Sequence, residues 1–394
     1  MSIVSLGLIP LPVAAARLPG HRGVFESLVA PSIAPLVTKG LIHLSFTEPT
    51  SRLAESEDAD RENSPRHVSP AVAYSRTPGR PASECAWCGH VFDGDDEYRA
   101  GRTQCARCGV ATTSPWPSDE QLSQAYAPWY RPAEGRFSGI GDKLLRRTRS
   151  ALAVRLNKVL PAGPILDVGA GDGTLIGAFR RLGREAVGVD PYAARNHPHV
   201  RAVEFEEMTG SWSAIIFWHS LEHLRQPVRA LRHAAQLVAP GGTLVVAVPN
   251  ASSLQARLFG DRWLALDLPR HLIHITPPAL LSELEKLGFK VERVSYLRGG
   301  QVLFGWLHGL VAQFPGHPDL YGAIRRSSAR QEAKSPTFWV YTFAAAVVSL
   351  PVALVGTAVE VAERVGGTVY VEARREPGAE TGETPRPHER EPGK

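Results

Sequence analysis

The stretch ILDVGAGDGTL, residues 165–175, joins a short apolar run to the start of an amphipathic segment. Its glycines at 169, 171 and 173 let the backbone turn sharply and approach a ligand at places where a Cβ would collide. A dinucleotide-binding G-x-G-x-x-G motif beginning at Gly169 needs its third glycine at position 174, where the chain has Thr174. The stretch therefore predicts a strand, a ligand-binding loop and a helix, and it argues against NAD or FAD.

The sequence around this stretch alternates between short β-branched runs and helical patterns. Four runs predict strands, at residues 164–168, 186–189, 214–217 and 243–248. Such alternation is typical of an α/β fold with a doubly wound, mainly parallel sheet of the Rossmann-like kind. Asp190 follows the second run, nineteen residues after Gly171. An acidic residue at this position can accept both ribose hydroxyls of an adenosine cofactor.

Composition limits the class of protein. The 394 residues include 43% hydrophobic residues, 44 basic against 39 acidic side chains and four cysteines. These values exclude fibrous, collagen-like and wholly disordered chains. A net charge of +5 is too weak to imply nucleic acid by itself. With so few cysteines, a disulfide-scaffolded secreted protein is excluded as well.

All four cysteines fall in two CxxC pairs, with sixteen residues between the pairs. Each pair can present two thiolates from one tight turn, and the glycine after each second cysteine permits the left-handed backbone of such a turn. Four thiolates complete a closed tetrahedral shell, so we predict a structural Zn²⁺. A pair of redox dithiols is the alternative. The predicted metal ligands are Cys85, Cys88, Cys105 and Cys108.

Histidines gather after two of the predicted strands. His219, Glu222 and His223 follow the strand at 214–217, and the segment DLPRHLIH, residues 267–274, follows the strand at 243–248. The carboxyl ends of parallel strands meet at one edge of a sheet, where ligands bind. Histidine is the natural base near neutral pH. We therefore expect the acceptor side of an active site here.

These motifs together resemble the class I S-adenosylmethionine-dependent methyltransferases over residues 82–376. The resemblance rests on the glycine loop, on Asp190, on FWHSLEHL at 217–224 and on APGGTLVVAVPN at 239–250. It departs at Ser213, where the family commonly has Asp. It implies S-adenosylmethionine as cofactor, with Asp190 on the ribose. It also implies that Asp167, Gly169, Gly171 and Gly173 surround the methionine part of the cofactor. His219 is predicted to belong to the same cofactor site.

A narrower similarity is to the zinc-ribbon methyltransferases of bacterial sugar and surface-glycan pathways, which include sugar C-methyltransferases. In those C-methyltransferases a Glu-His pair supplies the base. His271 matches that histidine, whereas Arg270 replaces the glutamate, which makes O-methylation of a hydroxyl at least as consistent as C-methylation. Tyr130 and His223 match positions that line the sugar site.

From this resemblance we expect His271 to act as base, with Glu222, His223 and Tyr130 orienting the acceptor. Several alternatives stay open. His223 could cap the following helix, and His274 could be a structural hydrogen-bond partner. Arg270 could pair with an acceptor phosphate or with Asp267. A metal site of His219, Glu222 and His223 is conceivable, because some quinone O-methyltransferases use a metal near this strand.

An apolar insertion precedes the last predicted strand. Residues 338–359 form 22 residues without a charge, long enough for a membrane span. In the family fold, however, the strands at 290–297 and 368–373 belong to one sheet, which argues against a single span. We expect the segment, broken at Pro351, to lie on a membrane surface, to re-enter with residues 302–314, or to pack on the protein. A buried hairpin or a dimer interface is the alternative.

The predicted organisation has seven parts: a disordered extension at 1–81, a zinc ribbon at 82–112, a helical connector at 113–160, a cofactor-binding domain at 161–300, an apolar helical insertion at 301–366, a last strand at 367–376 and a disordered tail at 377–394. The acceptor is expected to be a sugar, a glycan or a related small molecule, nucleotide-linked or lipid-linked, and the location cytoplasmic or at the inner face of the membrane.

Two other functions stay open: a nucleic-acid methyltransferase whose ribbon grips RNA or DNA, and a non-catalytic S-adenosylmethionine-binding protein. The first lacks an Asn-Pro-Pro-aromatic motif after the strand at 214–217, and no basic and aromatic groove is evident.

Overall fold

The structure is a computed structural model. It describes residues 74, 77, 79–126, 137, 140–193, 198–297, 300–325 and 335–376. The predicted extension before residue 74, the predicted tail from residue 377 and Tyr130 lie outside the described residues. Every described residue belongs to one compact unit, which comprises residues 65–394.

Eleven strands and nine helices are named here in chain order among the described residues. The strands are β1 (Glu97–Arg99), β2 (Arg102–Gln104), β3 (Ala111–Thr113), β4 (Ile165–Val168), β5 (Ala186–Val189), β6 (Val200–Arg201), β7 (Trp212–Trp218), β8 (Val238–Pro249), β9 (Ile273–His274), β10 (Phe289–Ser295) and β11 (Thr368–Arg375). The helices are α1 (Asp119–Ala125), α2 (Ile140–Val159), α3 (Thr174–Arg181), α4 (Pro227–Leu237), α5 (Leu254–Phe259), α6 (Pro277–Lys286), α7 (Gly300–Val311), α8 (Leu320–Ile324) and α9 (Pro336–Ala362).

The main sheet has seven strands in the order β10-β11-β8-β7-β4-β5-β6. Strands β4 to β8 are parallel to one another, and β11 runs antiparallel between β8 and β10. The order reverses at β4, which places the end of β4 at the topological switch point where ligands bind in such sheets. The predicted doubly wound α/β fold is confirmed, and the strands predicted at 290–297 and 368–373 belong to this one sheet.

The sheet is covered on both faces, because successive strand residues point to opposite sides. Along β4, Ile165 packs in one apolar cluster with Phe179 of α3 and Leu156 of α2. The next residue, Leu166, packs in a second cluster with Leu231 of α4 and Leu280 of α6. All six side chains are buried. Continuous burial on both faces explains why these strands read as unbroken apolar runs.

A second, four-stranded sheet has the order β1-β2-β3-β9. Its first three strands come from the cysteine-rich segment, whereas β9 comes from the DLPRHLIH segment. Ala111 pairs with His274, and Thr112 pairs with Ile273. The cysteine-rich module is therefore joined to the DLPRHLIH segment by strand pairing.

The apolar insertion forms helices. Residues 302–314 lie mainly in α7, and residues 338–359 lie within α9, which packs against α7 and α8. The expectation of a break at Pro351 was wrong, because α9 continues through this residue from Pro336 to Ala362. Among the described residues, α9 is the one helix long and apolar enough to cross a membrane by length and composition.

Candidate active site

The glycine loop lies at the switch point of the sheet. Gly169, Gly171 and Gly173 have φ values of 75°, 60° and 67°, a region that only glycine enters without strain. A Cβ added to Gly169 would lie 2.4 Å from the Cβ of Ser220, at the end of β7. The loop glycines are therefore needed both for the turn and for the close approach of the two strand ends.

Asp167, the third residue of β4, is buried beneath this loop. Its Oδ1 is buried without a hydrogen-bond partner among the described residues. Burial raises the pKa of Asp167 to about 7. The positive charge of Arg149 lowers this pKa, whereas the negative charges of Asp190 and Asp172 raise it further. An orphaned carboxylate oxygen at this position fits a ligand that brings a positively charged donor, as the ammonium of S-adenosylmethionine would.

Asp190 follows β5 and holds the loop from the other side. Its Oδ2 accepts a hydrogen bond from the Gly171 amide at 2.9 Å, and its Oδ1 accepts one from the Tyr192 amide at 2.9 Å. The carboxylate is thereby fixed beside the loop. This position fits the ribose contact that the sequence predicts, since each carboxylate oxygen carries a second lone pair.

The exit of β7 brings His219 and Glu222 together. His219 has a φ of 53°, a strained conformation for a residue with a Cβ, and its Nδ1 lies 3.4 Å from Glu222 Oε1. Both carboxylate oxygens of Glu222 are buried without a hydrogen bond among the described residues. Burial raises the pKa of Glu222, but the neighbouring His219, His223 and His271 lower it below its ordinary value.

His271 faces this carboxylate from the DLPRHLIH segment. Its Nδ1 lies 2.7 Å from the Ala265 carbonyl oxygen. Because a carbonyl can only accept, Nδ1 carries the proton and the neutral ring has its lone pair on Nε2. That Nε2 lies 4.0 Å from Glu222 Oε1 and 3.7 Å from Asp267 Oδ2. The backbone hydrogen bond thus fixes the tautomer that a general base requires.

His223 stands beside His271, with ring centroids 4.7 Å apart. Its Nδ1 lies 2.9 Å from the Arg270 carbonyl oxygen and 2.8 Å from the Tyr126 hydroxyl. Burial and the repulsion from His271 lower the pKa of His223 to about 4, so this ring is neutral at pH 7. His223 does not cap the following helix as the alternative proposed, because α4 begins at Pro227 with Gln226 as its N-cap and without a side-chain hydrogen bond at the cap.

Tyr126 connects His223 with the segment that follows β5. Its ring stacks on Tyr192 at a centroid distance of 4.5 Å, while its hydroxyl bonds His223. Tyr192 in turn lies two residues after Asp190. From the sequence we predicted a site role for Tyr130 and none for Tyr126, although both belong to the segment YAPWY at residues 126–130. Stacking across 66 residues has no signal in the local sequence.

Arg270 pairs with Asp267. Its Nε donates to Asp267 Oδ2 at 3.0 Å, and its Nη2 donates to Asp267 Oδ1. Burial raises the pKa of Asp267, but Arg270 and His271 lower it well below its ordinary value. Of the two alternatives for Arg270, the ion pair within the segment is the one that the structure contains.

The small sheet supports the same segment from behind. The Thr113 hydroxyl donates to the His271 carbonyl oxygen at 2.7 Å and lies 3.1 Å from His274 Nε2. The Thr113 amide donates to the Leu272 carbonyl oxygen at 2.9 Å. His274 is buried, and it is a structural partner as expected. The cysteine-rich module therefore holds the backbone of His271 in place.

The four cysteine sulfurs lie within 4.8 Å of one another. Cys85 Sγ is 3.6 Å from Cys108 Sγ, and Cys88 Sγ is 3.7 Å from Cys105 Sγ. A tetrahedral Zn²⁺ with Zn–S bonds of about 2.3 Å separates its sulfurs by about 3.8 Å. The two turns are alike, because Gly89 and Gly109 donate to the Cys85 and Cys105 carbonyl oxygens at 2.8 Å each. The donor set and its dimensions fit zinc.

The predicted site residues thus fall into three groups. The loop residues Asp167 to Gly173 lie beside Asp190. Contact between Gly169 and Ser220 joins this loop to the turn of His219, Glu222 and His223. That turn meets His271 through the Leu272 amide, which donates to the Glu222 carbonyl oxygen at 2.9 Å. Residues that the sequence reasoning missed are Tyr126, Tyr192, Thr113 and Gln301, whose Nε2 lies 3.3 Å from His219 Nε2.

Comparisons with known proteins agree with this geometry. A family model described as a methyltransferase domain matches residues 141–294. The chain is 29% identical over 158 residues to a protein of Xanthomonas campestris pv. campestris (strain B100) named ubiquinone biosynthesis O-methyltransferase. It is 30% identical to the protein of the same name from Xanthomonas axonopodis pv. citri (strain 306). These alignments cover 34% of this chain and 66% of each relative, just under two thirds of their length.

Solved structures with similar folds include a SAM-dependent methyltransferase from Archaeoglobus fulgidus, at 18% identity, and the [4+2]-cyclase SpnF, at 20% identity. The first covers 58% of this chain and 94% of its own, with a TM-score of 0.36. The second covers 66% and 97%, with a TM-score of 0.39. At these scores the structures add no weight to the assignment, which rests on the family model and the site. Residues 141–294 therefore match a methyltransferase domain, on a sheet with the doubly wound strand order described above.

Proposed function

We propose that the protein transfers a methyl group from S-adenosylmethionine to a small acceptor, a hydroxyl or carbon of a sugar, glycan or related molecule that is free, nucleotide-linked or lipid-linked. We place it in the cytoplasm. The observation that carries the proposal is the orientation of His271 at the carboxyl edge of the sheet, where the Ala265 carbonyl holds Nδ1 and leaves Nε2 as the nitrogen that can accept a proton in the neutral ring. Methyl transfer to a hydroxyl needs a base at this edge, beside the glycine loop.

The loop and its two carboxylates would hold the cofactor, whose sulfonium supplies an electrophilic methyl group when bound. Asp167 would pair with the ammonium of the methionine part, and Asp190 would accept from the ribose hydroxyls. Because Gly169, Gly171 and Gly173 have no side chains, the loop would leave room for the cofactor. His219, which contacts Glu222 and Gln301, would form the wall of the cofactor site on the side of the acceptor.

On the acceptor side, His271 would take the proton of the acceptor at Nε2. Glu222 and Asp267 flank this atom, so their negative charges would stabilise the imidazolium that forms. His223 and Tyr126 would orient the acceptor, and Tyr130 is proposed with them from the sequence resemblance. Arg270 occupies the position of a glutamate in the sugar C-methyltransferases and pairs with Asp267. This pairing, with the O-methyltransferase names of the relatives, favours a hydroxyl.

The experiment is a methyl-transfer assay with labelled S-adenosylmethionine and a panel of sugar nucleotides, lipid-linked sugars and phenols. For the accepted compound, His271→Ala should lower kcat by about 10²–10⁴-fold, the usual contribution of a general base. The matched control is His233→Ala, because His233 bonds the Met208 carbonyl oxygen away from the site. Unchanged turnover in the His271 variant would remove this residue from the mechanism.

Metal-assisted O-methylation is a second candidate. Glu222, His223 and His271 can each offer one ligand atom within 4.8 Å of the others, and both Glu222 oxygens lack a hydrogen bond among the described residues. A divalent cation would satisfy this carboxylate. In the same assay, added Mg²⁺ or Mn²⁺ should then raise turnover of the wild-type protein, whereas a metal-independent rate would leave His271 as the base.

We also propose that Zn²⁺ occupies the four-cysteine site and is structural, because four protein ligands leave no open position. Metal analysis of the purified protein should give one zinc per chain. Cys108→Ser should lose it, whereas His90→Ala should keep it, since His90 already faces the Asp96 carboxylate at 3.2 Å. Full retention of zinc by the Cys108 variant would contradict the assignment.

A further inference from the structure

The side of α9 that faces the protein consists of small and polar side chains. The buried residues recur every three or four positions, so they form one stripe along the helix; they are Thr342, Ala345, Ser349, Ala353, Gly356 and Glu360. At Gly356, an added Cβ would lie 2.6 Å from the ring of Trp306 in α7. The stripe therefore lets the two helices approach closely.

The outward side of α9 consists of large apolar side chains. Val347 is 72% exposed and Val340 is 71% exposed. The exposed set also includes Tyr341, Phe343, Val348, Leu350, Val352, Leu354 and Val355. A surface helix of a water-soluble protein has the reverse arrangement, with large apolar residues inward and polar residues outward. An exposed apolar face of this length marks a surface that another phase or molecule covers.

The distribution of side chains identifies the covering phase as lipid. Small residues between helices and large apolar residues outside are the pattern of helices that pack within a bilayer. The hydroxyls that could hydrogen-bond a protein partner are used internally. Thr342 and Thr357 donate to carbonyl oxygens four residues back, at 2.8 and 2.7 Å, and Tyr341 donates to the Pro315 carbonyl oxygen. A protein interface would offer a polar rim, whereas the exposed residues of α9 between positions 338 and 359 are apolar apart from Tyr341.

The length of α7 indicates whether α9 crosses the bilayer or lies along its surface. The uncharged run of α9, at about 1.5 Å per residue, is about 33 Å long, close to the apolar thickness of a bilayer. However, α7 has 12 residues, about 18 Å, and is too short to cross back. Both ends of the insertion also return to neighbouring strands, β10 and β11. The helix therefore lies along the bilayer surface with its large-residue face in the acyl layer.

The basic residues that precede α9 in the sequence favour anionic lipids. Immediately before α9, the sequence has Arg326, Arg330 and Lys334 against the single acid Glu332. Basic residues beside a membrane-bound helix attract anionic headgroups. Trp339 and Tyr341 stand in the first turns of α9, where aromatic side chains suit the headgroup boundary. We propose that the exposed face of α9 binds the surface of an anionic lipid bilayer. This binding does not depend on the proposed methyl transfer.

The test is flotation of the full-length protein with vesicles of phosphatidylcholine containing about one third phosphatidylglycerol. The wild-type protein should float with these vesicles at low salt, and less with phosphatidylcholine alone. Val347→Glu combined with Val348→Glu should weaken binding by about tenfold or more, because two charges would enter the acyl layer. The matched control is Val91→Glu, at a residue that is 67% exposed outside the insertion; it should float like the wild type.

Far-UV circular dichroism and S-adenosylmethionine binding would show that each variant is folded. The proposal is overturned if the wild-type protein stays at the bottom of the gradient with every vesicle at low salt. It is also overturned if the double variant floats as well as the wild type. A third contrary outcome is a stable dimer that binds no vesicle and that the double variant converts to a monomer, because a second copy would then cover the face.

Discussion

Asp167 shows how a single buried carboxylate can report on the cofactor. Because burial raises its pKa to about 7, the free protein holds a proton there below this pH. A positively charged partner binds the ionised form, so the proton must leave before the cofactor can bind. Cofactor affinity should therefore fall as the pH drops through the pKa.

The expected size follows from this titration. The dissociation constant for S-adenosylmethionine should rise about 10- to 30-fold from about pH 7.5 to about pH 5.5, measured by calorimetry. Asp167→Asn should bind more weakly at neutral pH and lose this dependence. Asp172→Asn, an exposed acid of the same loop, should keep it. A dissociation constant of the wild-type protein that is flat over this range would contradict the role of Asp167.

At this scale, the sequence predicted residues whose roles depend on local geometry. The loop glycines and Asp190 were predicted because a strand–loop–helix unit is contiguous in sequence, and the structure places them together. Tyr126 was missed because its partners, Tyr192 and His223, come from distant segments. The Thr113 contact with the His271 carbonyl spans 158 residues and likewise has no local signal.

Among the elements, α9 is hydrogen-bonded to α7 and α5 through one buried carboxylate. Glu360 accepts hydrogen bonds from the Gln255 amide and side chain, both at 2.8 Å, and from Trp306 Nε1 at 3.0 Å. Burial raises the pKa of Glu360, against these hydrogen bonds. The network joins α9, α7 and the start of α5.

Removing this carboxylate would leave buried donors unsatisfied. Glu360→Leu should therefore lower the free energy of unfolding by about 2–4 kcal/mol, as measured by urea denaturation. Glu363→Leu is the control, because Glu363 is exposed and should change stability by no more than about 0.5 kcal/mol. Equal stability of the two variants would show that the network does not anchor the helix.

Sequence patterns predicted some strands and helices better than others. Six of the seven strands of the main sheet were predicted from the sequence, most of them because burial on both faces makes them apolar runs. The exception is the two-residue strand β6, which was not predicted. The break at Pro351 was not found, since neighbouring structure holds the helix on both sides of the proline. Pairing of β9 with β3 was not predictable, because a two-residue strand has no period of its own.

For the whole molecule, the methyltransferase match covers residues 141–294, and two further parts attach to it at the acceptor side. The cysteine-rich sheet holds the backbone of His271, and α7 begins beside His219 through Gln301. Both additions thus meet the edge where the acceptor would bind.

The most direct test of the account is calorimetric titration of the folded wild-type protein with S-adenosylmethionine, beside two glycine variants of the same strand–loop–helix unit. Gly169→Ala places a Cβ 2.4 Å from Ser220, whereas Gly177→Ala meets no atom closer than 3.5 Å. We predict one cofactor per chain with a dissociation constant of about 1–100 µM for the wild type and for Gly177→Ala, and binding at least about tenfold weaker for Gly169→Ala. A folded wild-type protein that takes up no S-adenosylmethionine, or a Gly169 variant that binds it as tightly as the wild type, would contradict the account.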